Sequence, residues 1–305
     1  MSLKNKSLVS INDFTREQQL RVLEVAAEFA KQPKQNILGN TVVSTLFFEP
    51  STRTRLSFES AVAMLGGKII GFTDASSSSV TKGESLKDTI KTVSCYADLI
   101  VMRHPKEGSA RFASEMASVP VINAGDGANQ HPTQTLLDLF TIKETQGTLE
   151  NLDIAFVGDL KHGRTVHSLT IALSQFNCRF HLVSPQVLKL PSAVKMHIKN
   201  NKLEYYQYTE LDEVIKKVDI CYMTRIQRER FADPMEYEKI KNSYNLKRDM
   251  LTGCKDNLKI LHPLPRVNEI SEDVDDTQQA YYFQQALNGV YVRQALMALI
   301  LGLKS

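Results

Sequence analysis

Residues 41–61 read TVVSTLFFEPSTRTRLSFESA and join two kinds of pattern. The β-branched and aromatic run from Thr41 to Phe48 is typical of a buried strand. From Arg53 to Leu65 the apolar spacing indicates a helix, which should stop at Gly66-Gly67. Three hydroxyl groups and two guanidinium groups lie at the junction, in residues 51–55. Such a strand-to-helix unit is the one from which doubly wound α/β domains are built.

The same alternation continues along the chain in two series. Further strands are predicted at 68–72, 98–102 and 119–123, with helices at 84–96, 109–118 and 132–144. After a polar, glycine-containing stretch at 145–151, strands are predicted at 152–157, 179–183, 203–206, 218–222 and 258–261. Two successive series predict an α/β fold of two doubly wound domains, each a parallel β-sheet flanked by helices. Ligand sites are then expected at the carboxyl ends of the strands.

We therefore expect a first domain at 1–147 and a second at 148–284. The apolar pattern from about Tyr282 to Leu303 indicates a last helix, and we expect residues 285–305 to cross back and pack on the first domain. A chain of 305 residues is long enough for two domains of ordinary size, each with its own core.

Composition and charge argue against several classes of protein. The chain is 42% hydrophobic and 23% charged, which is typical of a soluble globular protein. A net charge of +3, without a basic arm or stripe, argues against nucleic-acid binding. No apolar run predicts a secretory signal or a membrane span. The four cysteines are widely spaced, form no metal-ligand pattern and are expected to be buried free thiols, as in a reducing cytoplasm.

The junction at residues 51–55 has the groups that bind an oxyanion. A helix N-terminus offers free backbone N–H groups and the positive end of the helix dipole. Hydroxyl groups there can donate to phosphate oxygens, and one guanidinium can bind two oxygens at once. Arg53 and Arg55 are two residues apart, so only one should reach the anion while the other pairs structurally. The alternative is an N-capped surface helix with solvated arginines.

Two other strand ends of the first half carry similar groups. The third predicted strand runs into Arg103, and the fourth leads through a glycine-containing loop to His131 and Gln134 at a helix start. Taken alone, His131 is equally well explained as a capping or core histidine. Because the carboxyl ends of parallel strands lie along one sheet edge, these groups should converge with residues 51–55, which favours a site.

In the second half, Gly158 to Thr165 imitates the phosphate-binding loop GxxxxGK[ST] between a strand and a helix. Arg164 stands where that motif requires lysine, and the two residues are not interchangeable. A nucleotide site is therefore the less economical explanation, and Arg164 is expected to bind a carboxylate or a phosphate. Because Arg225 and Gln227 follow a predicted strand, they are also expected to face the ligand site. The alternative is a solvated charged loop.

The segment LKILHPLPR, residues 258–266, places two prolines after a strand. They fix the backbone and leave rigid carbonyl groups that can accept from an amine, or they form no more than a stiff connector. Together, the candidate residues are rich in arginine, hydroxyl and amide groups. They include no metal-ligand cluster, no pair of catalytic carboxylates and no activated nucleophile. Such a site binds anions and stabilises developing negative charge.

Six segments, in this order, resemble the catalytic chains of the aspartate carbamoyltransferase family. They are STRTR (51–55), VMRHP (101–105), NQHPTQTLLDLF (129–140), GDLKHGRTVHSL (158–169), MTRIQRERF (223–231) and LHPLPR (261–266). The resemblance covers essentially all 305 residues. STRTR alone marks the wider carbamoyltransferase family, whereas ornithine carbamoyltransferases typically carry HCLP where this chain has HPLP (262–265). Arg225 and Gln227 also suit the two carboxylates of aspartate better than the cationic ornithine.

The resemblance implies that the first domain binds carbamoyl phosphate. The phosphate would be held by Ser51, Thr52, Arg53, Thr54 and Arg103. Thr54, Arg103 and His131 would bind the carbamoyl oxygen, on which negative charge grows as the amine attacks. Gln134 would hold the carbamoyl amide. With Arg53, the three residues on the carbamoyl oxygen form the implied catalytic set.

For the second domain, the resemblance implies that Arg164, Arg225 and Gln227 bind the carboxylates of L-aspartate. The backbone of Leu264 and Pro265 would contact carbamoyl phosphate and orient the aspartate amine. The implied reaction is direct attack by the neutral amine through a tetrahedral species, with phosphate as leaving group and proton acceptor. Neither a cofactor nor a metal is implied.

A serine run at 76–79 precedes Lys82 and has two interpretations. By composition it is a flexible surface loop. In the family, the corresponding loop reaches into the site of a neighbouring subunit. Ser79, in preference to Ser78, and Lys82 would contact phosphate there, and Lys82 would also contact aspartate. The implied active form is a homotrimer with shared sites.

The resemblance also implies a means of closing the enzyme around its substrates. Glu49 would bridge between domains to Arg164 and Arg230, which gives a physical route to cooperativity in an allosteric enzyme. Residues 281–301 resemble the enterobacterial-type catalytic chain, which assembles with a zinc-containing regulatory chain in a dodecamer. The implied protein is a cytoplasmic enzyme of pyrimidine biosynthesis, without a nucleic-acid or membrane partner.

Three alternatives stay open at the level of sequence. The first is a carbamoyltransferase that uses ornithine or an acetylated relative. The second is a P-loop-like nucleotide-binding protein built on Gly158–Thr165. The third is a binding protein without turnover.

Overall fold

The computed structural model describes residues 2–74, 79–228, 231 and 233–304, with only the backbone of residues 79 and 80. The chain divides into two compact units. Unit 1 comprises Met1–Phe140 and Leu287–Ser305, and unit 2 comprises Thr141–Ala286.

In the described part of unit 1, four parallel strands form a sheet in the order β2-β1-β3-β4. The strands are β1 (Val42–Phe47), β2 (Lys68–Phe72), β3 (Leu99–His104) and β4 (Val121–Asp126). The helices are α1 (Arg16–Lys31), α2 (Thr52–Met64), α3 (Leu86–Val93), α4 (Ser109–Met116) and α5 (Pro132–Gln146), the last of which runs on into unit 2. Strand β1 is buried in the interior of the sheet, as its β-branched and aromatic residues predict.

Within the described residues of unit 2, five parallel strands form a sheet in the order β7-β6-β5-β8-β9. They are β5 (Asp153–Val157), β6 (Arg179–Val183), β7 (Tyr205–Tyr208), β8 (Ile220–Met223) and β9 (Lys259–Leu261), with helices α6 (Arg164–Leu173), α7 (Ser192–Asn200) and α8 (Pro234–Ile240). Phe156 of β5 packs against Phe180 and Tyr222 of the neighbouring strands, with ring centroids 6.1 and 5.7 Å away. The predicted α/β fold of two doubly wound parallel-sheet domains is confirmed.

Each sheet has one point at which the strand order reverses. In unit 1 the chain passes from β1 outward to β2 and then returns to β3 on the other side of β1. In unit 2 the same reversal lies between β5 and β8. Open α/β sheets bind ligands in the crevice at the carboxyl ends of the strands at such a switch point. The two switch points are therefore where functional side chains are to be sought.

The last helix, α9 (Tyr282–Ile300), begins in unit 2 and ends in unit 1. In unit 1, Gln294 Nε2 donates to the carbonyl oxygen of Pro33 at 2.7 Å, and the carbonyl oxygen of Ile300 accepts from the N–H of Asn5 at 2.8 Å. The predicted packing of the C-terminal helix on the first domain is confirmed. Among the described residues no helix, α9 included, has both the length and the apolar character needed to cross a membrane.

Some helices begin or end at other residues than the sequence predicts, because hydrogen bonds from capping side chains set their ends. Helix α3 begins only at Leu86, since the hydroxyl of Ser85 caps it by accepting from the N–H of Asp88 at 3.2 Å. The expectation that all four cysteines are buried is wrong for Cys95, which is exposed just beyond α3, and Cys254 is only half-buried. The thiols of Cys178 and Cys221 are buried, and burial raises the pKa of each to about 12.

Candidate active site

The N-terminus of α2 follows β1 at the switch point of unit 1. Ser51 is its N-cap residue, yet the Ser51 hydroxyl makes no capping hydrogen bond to the helix. Thr54 is nearly buried, whereas Thr52 and Arg53 are exposed. Arg55 pairs within the helix, with Nη1 3.5 Å from Glu59 Oε1. An anion that approaches this end of α2 therefore meets hydroxyl groups, helix N–H groups and Arg53.

Arg103, at the end of β3, lies opposite Phe47 of β1 in the sheet register. Its Nε donates to Glu49 Oε2 at 3.1 Å, and its side chain is only 13% exposed. Burial lowers the pKa of Arg103, and the Glu49 carboxylate opposes that change. A guanidinium keeps its charge under these conditions, and its field is stronger in the partly dry environment. Arg103 is thus placed to stabilise negative charge at the switch point.

The loop between β4 and α5 is organised by Asp126, which the sequence did not single out. The fully buried carboxylate accepts four hydrogen bonds of 2.9–3.1 Å, from Gly108, Asn123, Asn129 and Gln130. Four donors on one carboxylate fix the path of the loop. They therefore fix the position of His131, directly before the next helix.

His131 directly precedes α5 and Gln134 lies in its first turn, after the loop from β4. The His131 side chain is buried, and its backbone oxygen accepts from the N–H of Gln134 at 3.0 Å. Gln134 Nε2 donates to Asp138 Oδ1 at 2.8 Å, and this bond is buried. With its nitrogen bound to Asp138, the Gln134 amide presents its oxygen, which suits an NH2 group on a ligand.

The residues predicted to act on a neighbouring subunit are only partly described. Lys82 ends a short 3-10 helix, Ser79–Lys82, and is exposed. The Ser79 side chain and the rest of the serine run lie outside the described residues, as does Arg230. The predicted contacts of Ser79 and Lys82, and the predicted bridge from Glu49 to Arg164 and Arg230, stay predictions.

In unit 2, the ends of β5 and β8 are joined through Thr224. Its hydroxyl donates to the carbonyl oxygen of Val157 at 3.0 Å and accepts from the N–H of Asp159 at 3.1 Å. Gly158 has φ +115°, and a Cβ on it would lie 2.2 Å from the Thr224 carbonyl oxygen. Only glycine fits this close approach, so the two strand ends are held at a fixed separation.

The loop from Gly158 to Thr165 differs from a phosphate-binding P-loop in its hydrogen bonds. Its Asp159 carboxylate is fully buried, accepts from the N–H of His162 at 2.9 Å and lies 3.2 Å from His162 Nδ1. A P-loop directs its N–H groups at the ligand phosphate. Here a carboxylate of the protein binds one of those groups and would repel a phosphate. The geometry therefore disfavours the nucleotide alternative.

Arg164, Arg225 and Gln227 follow the two strands that border the switch point of unit 2. Arg164 begins α6 just after the loop from β5, and Arg225 and Gln227 come after β8. Each of the three side chains is half-buried. Two guanidinium groups and one amide are suited to bind carboxylates.

The HPLP segment follows β9, which pairs with β8, and is held by His262. His262 Nδ1 accepts from the N–H of Leu264 at 2.7 Å, so the ring proton is on Nε2, which donates to Glu269 Oε1 at 2.7 Å. Burial lowers the pKa of His262 despite this partner. Leu264, half-buried with φ +55°, and the exposed Pro265 are joined by a cis peptide bond. A buried neutral histidine therefore fixes the backbone of the two residues expected to contact substrate.

Two family models match most of the chain. The model for the carbamoyl-P binding domain of aspartate/ornithine carbamoyltransferase matches residues 6–144, and the model for the Asp/Orn binding domain matches residues 150–300. The aspartate carbamoyltransferase catalytic subunit of Bacteroides fragilis is 59% identical over 302 residues, which cover 99% of this chain and 98% of that protein. The chain belongs to the aspartate carbamoyltransferase family.

Solved structures from the aspartate carbamoyltransferase family have the same fold. The catalytic subunit of M. jannaschii aspartate transcarbamoylase is 52% identical and superposes with a TM-score of 0.89, covering 96% of both chains. Trypanosoma cruzi aspartate transcarbamoylase, solved in complex with carbamoyl phosphate and aspartate, is 36% identical with a TM-score of 0.92, covering 98% of both chains.

Three charged residues behind this family's motifs were missed by sequence reasoning. They are Asp126, Asp138 and Arg293, and all are buried in unit 1. For Asp138 and Arg293 a signal was present, since each interrupts an apolar helical run, LLDLF and VYVRQALMALI. Charged residues are almost never fully buried without a partner, so each predicts a buried polar contact. Nothing in the sequence around Asp126 indicates its four hydrogen bonds.

We expect acid to destabilise unit 2 through His262. Because burial lowers the pKa of His262 in the folded state, its contribution to stability is complete above its ordinary value of 6.5 and is lost as the pH falls below it. The Glu269 carboxylate adds to the loss at lower pH, since its pKa is also lowered: burial opposes ionisation, but the bond from His262 outweighs it.

Chemical unfolding between pH 7.5 and 5 checks this expectation. The free energy of unfolding of the wild type should fall with acid, by up to about 1.4 kcal/mol per pH unit for one such group. His262→Asn should flatten the dependence, while His197→Asn, at a half-buried histidine of α7, should leave it as in the wild type. An equally steep dependence in His262→Asn would contradict the assignment.

Proposed function

We propose that the chain transfers the carbamoyl group of carbamoyl phosphate to the amino group of L-aspartate, giving N-carbamoyl-L-aspartate and phosphate. The observation that carries this function is the arginine-bearing switch point in each sheet. The switch point of unit 1 carries the N-terminus of α2 and Arg103. The switch point of unit 2 carries Arg164 and Arg225. The Trypanosoma cruzi relative bound to carbamoyl phosphate and aspartate supports the same pair of substrates.

Carbamoyl phosphate binds in unit 1 in this proposal. The hydroxyl groups of Ser51, Thr52 and Thr54 donate to the phosphate together with the helix N–H groups, and Arg53 binds two of its oxygens. Arg103 reaches the same ligand from β3. Gln134, oriented by Asp138, accepts from the carbamoyl NH2 group.

The residues around the carbamoyl oxygen supply the rate enhancement. As the aspartate amine attacks the carbamoyl carbon, negative charge moves onto that oxygen, where Thr54, Arg103 and His131 donate hydrogen bonds. The tetrahedral species then expels phosphate. The departing phosphate takes the proton from the amine, so His131 acts as a hydrogen-bond donor and not as the general base. The reaction as proposed uses no cofactor.

Unit 2 provides the preference for aspartate. Arg164, Arg225 and Gln227 bind the two carboxylates, which a cationic acceptor such as ornithine does not supply. The backbone of Leu264 and Pro265, held by His262, contacts carbamoyl phosphate and accepts from the aspartate amine. Residues 1–147 are the proposed carbamoyl phosphate domain, 148–284 the aspartate domain and 285–305 the helix that returns to the first.

We further propose a homotrimer in which Ser79 and Lys82 complete the site of a neighbouring subunit. A self-association surface is supported by the edge strand β2, whose Ile69 and Ile70 are exposed, and by exposed Tyr96. A finer proposal is an enterobacterial-type allosteric assembly, in which the chain forms a dodecamer with a zinc-containing regulatory chain. In the closed state around both substrates, Glu49 would pair with Arg164 and Arg230. The setting is cytoplasmic pyrimidine biosynthesis.

An assay with two acceptors tests the function. With carbamoyl phosphate as donor, we expect phosphate release with L-aspartate and none with L-ornithine. Turnover with ornithine but not with aspartate would overturn the assignment. The nucleotide alternative predicts a rise in melting temperature with ATP and magnesium, and we expect none. Sedimentation of the chain alone and with a regulatory chain tests the trimer and the larger assembly.

A further inference from the structure

A fully buried arginine lies behind the proposed carbamoyl phosphate site, on the C-terminal helix. Arg293 of α9 donates through Nη1 to Ser57 Oγ of α2 at 2.9 Å, and its guanidinium carbon lies 4.9 Å from the centre of the Phe58 ring. Burial lowers the pKa of Arg293 to about 10, and the charge of Asp138 opposes that change. The guanidinium is therefore still charged at neutral pH, without access to solvent.

Asp138 links this buried charge to a residue of the site. Its carboxylate, on α5, is fully buried and accepts from Gln134 Nε2. A buried carboxylate keeps its charge only when a cation or several donors stabilise it. If the charge of Arg293 were removed or displaced, Asp138 would bind a proton more readily. A protonated carboxyl can donate as well as accept, and the amide of Gln134 would no longer be held in one orientation.

The sequence of α9 makes room for this guanidinium. Gly289 lies one turn before Arg293, and a Cβ on it would be 2.4 Å from Arg293 Nη1 and 3.1 Å from Leu137 Cδ2. Glycine is unfavourable inside a helix relative to alanine. The close approach of Arg293 explains why glycine occupies this interior position.

We propose that Arg293 is a positioning residue for carbamoyl phosphate, acting through Asp138 on the Gln134 amide and through Ser57 on the helix that carries Ser51 to Thr54. The inference rests on the proposed function. Arg293 acts on the ligand only through these neighbours. It makes the C-terminal helix a part of the donor site, although the helix supplies no residue that touches the substrate.

Two ligands that differ in one group separate positioning from general destabilisation. Acetyl phosphate has a methyl group where carbamoyl phosphate has the NH2 group that Gln134 would accept from. In Asp138→Asn, we expect the KM of carbamoyl phosphate to rise about tenfold, while the inhibition constant of acetyl phosphate stays at its wild-type value. In Gly289→Ala, which displaces Arg293 Nη1 from Ser57 as well, the binding of both ligands should weaken, that of carbamoyl phosphate by about tenfold more than that of acetyl phosphate. Gly289→Ala removes no polar group, so its effect on binding reports the displacement of Arg293.

The second connection has its own matched pair of variants. Ser57→Ala removes the acceptor of Arg293 on α2, whereas Ser60→Ala changes another half-buried serine of the same helix. Inorganic phosphate is the probe, because it reports on the anion cradle alone. We expect its inhibition constant to rise about fivefold in Ser57→Ala and to stay unchanged in Ser60→Ala.

The outcomes distinguish this inference from the function on which it rests. If the wild type does not use carbamoyl phosphate with aspartate, the proposed function fails. If it does, and folded Gly289→Ala and Asp138→Asn keep the wild-type preference for carbamoyl over acetyl phosphate, the positioning role of Arg293 is overturned. Should Asp138→Asn fail to fold, Gly289→Ala decides alone. If the binding of carbamoyl phosphate and of acetyl phosphate weakens equally, the role is also overturned, because this result indicates a general loss of structure.

Discussion

Replacing Arg53 by alanine should lower kcat/KM for carbamoyl phosphate by about 10²–10³-fold, the loss typical of removing one donor to a developing negative charge. Arg53 is exposed at the start of α2, so the melting temperature should hardly change. Lysine at this position should restore only part of the activity, since an ammonium group cannot bind two phosphate oxygens in the planar geometry of a guanidinium. Steady-state kinetics with varied carbamoyl phosphate measure the effect.

Arg55 provides the matched control on the same helix. It pairs with Glu59 at 3.5 Å, and both side chains are partly exposed. An i,i+4 pair on a helix surface contributes roughly 0.3–0.5 kcal/mol. Arg55→Ala should therefore change kcat/KM by no more than about twofold. If Arg55→Ala lost as much activity as Arg53→Ala, the assignment of the phosphate clamp to Arg53 would be wrong.

Replacing Arg225 by alanine should raise the KM of aspartate roughly 10- to 150-fold, because a charge-assisted hydrogen bond contributes about 1.5–3 kcal/mol. The dissociation constant of carbamoyl phosphate should stay near its wild-type value. Most of the residues proposed to hold that ligand lie in unit 1, whereas Arg225 lies in unit 2. Product formation with varied aspartate, and binding of carbamoyl phosphate by calorimetry, measure the two effects separately.

Arg228 is the control for this variant. It follows Arg225 by three residues and is exposed. Arg228→Ala should leave the KM of aspartate unchanged. An equal rise in the KM of aspartate in both variants would indicate that the arginines act through the general positive field, which falls with ionic strength. Direct contact with a carboxylate is then excluded as the source of the effect.

The fold could be predicted from sequence because its elements are local patterns. A strand such as β1 is determined by a few consecutive residues, and the structure has it where the sequence predicts it. The strand order could not be predicted, since pairing β1 with β3 depends on contacts between residues more than fifty positions apart. The end of β4 was predicted too early for the same reason: its pairing with β3 continues to Asp126.

Candidate site residues could be predicted from sequence where they lie at the end of a strand or at the start of the helix that follows it. Arg103 and Arg225 were proposed on that ground, because a parallel sheet brings its strand ends to one edge. The sequence did not predict that Arg103 would pair with Glu49, since that choice depends on the geometry of the switch point. Asp138 and Arg293 lie behind the candidate site residues, on helices whose packing no local pattern specifies.

The return of α9 to unit 1 has a consequence for synthesis on the ribosome. The β-sheet of unit 1 is translated first, but Leu287–Ile300, which complete the unit, are made only after Thr141–Ala286. Domains translated early usually fold early. Here unit 1 stays incomplete, with the apolar surface for α9 uncovered, until unit 2 has emerged. A nascent chain stalled before residue 287 should expose that surface to chaperones, and the proposed phosphate site should mature last.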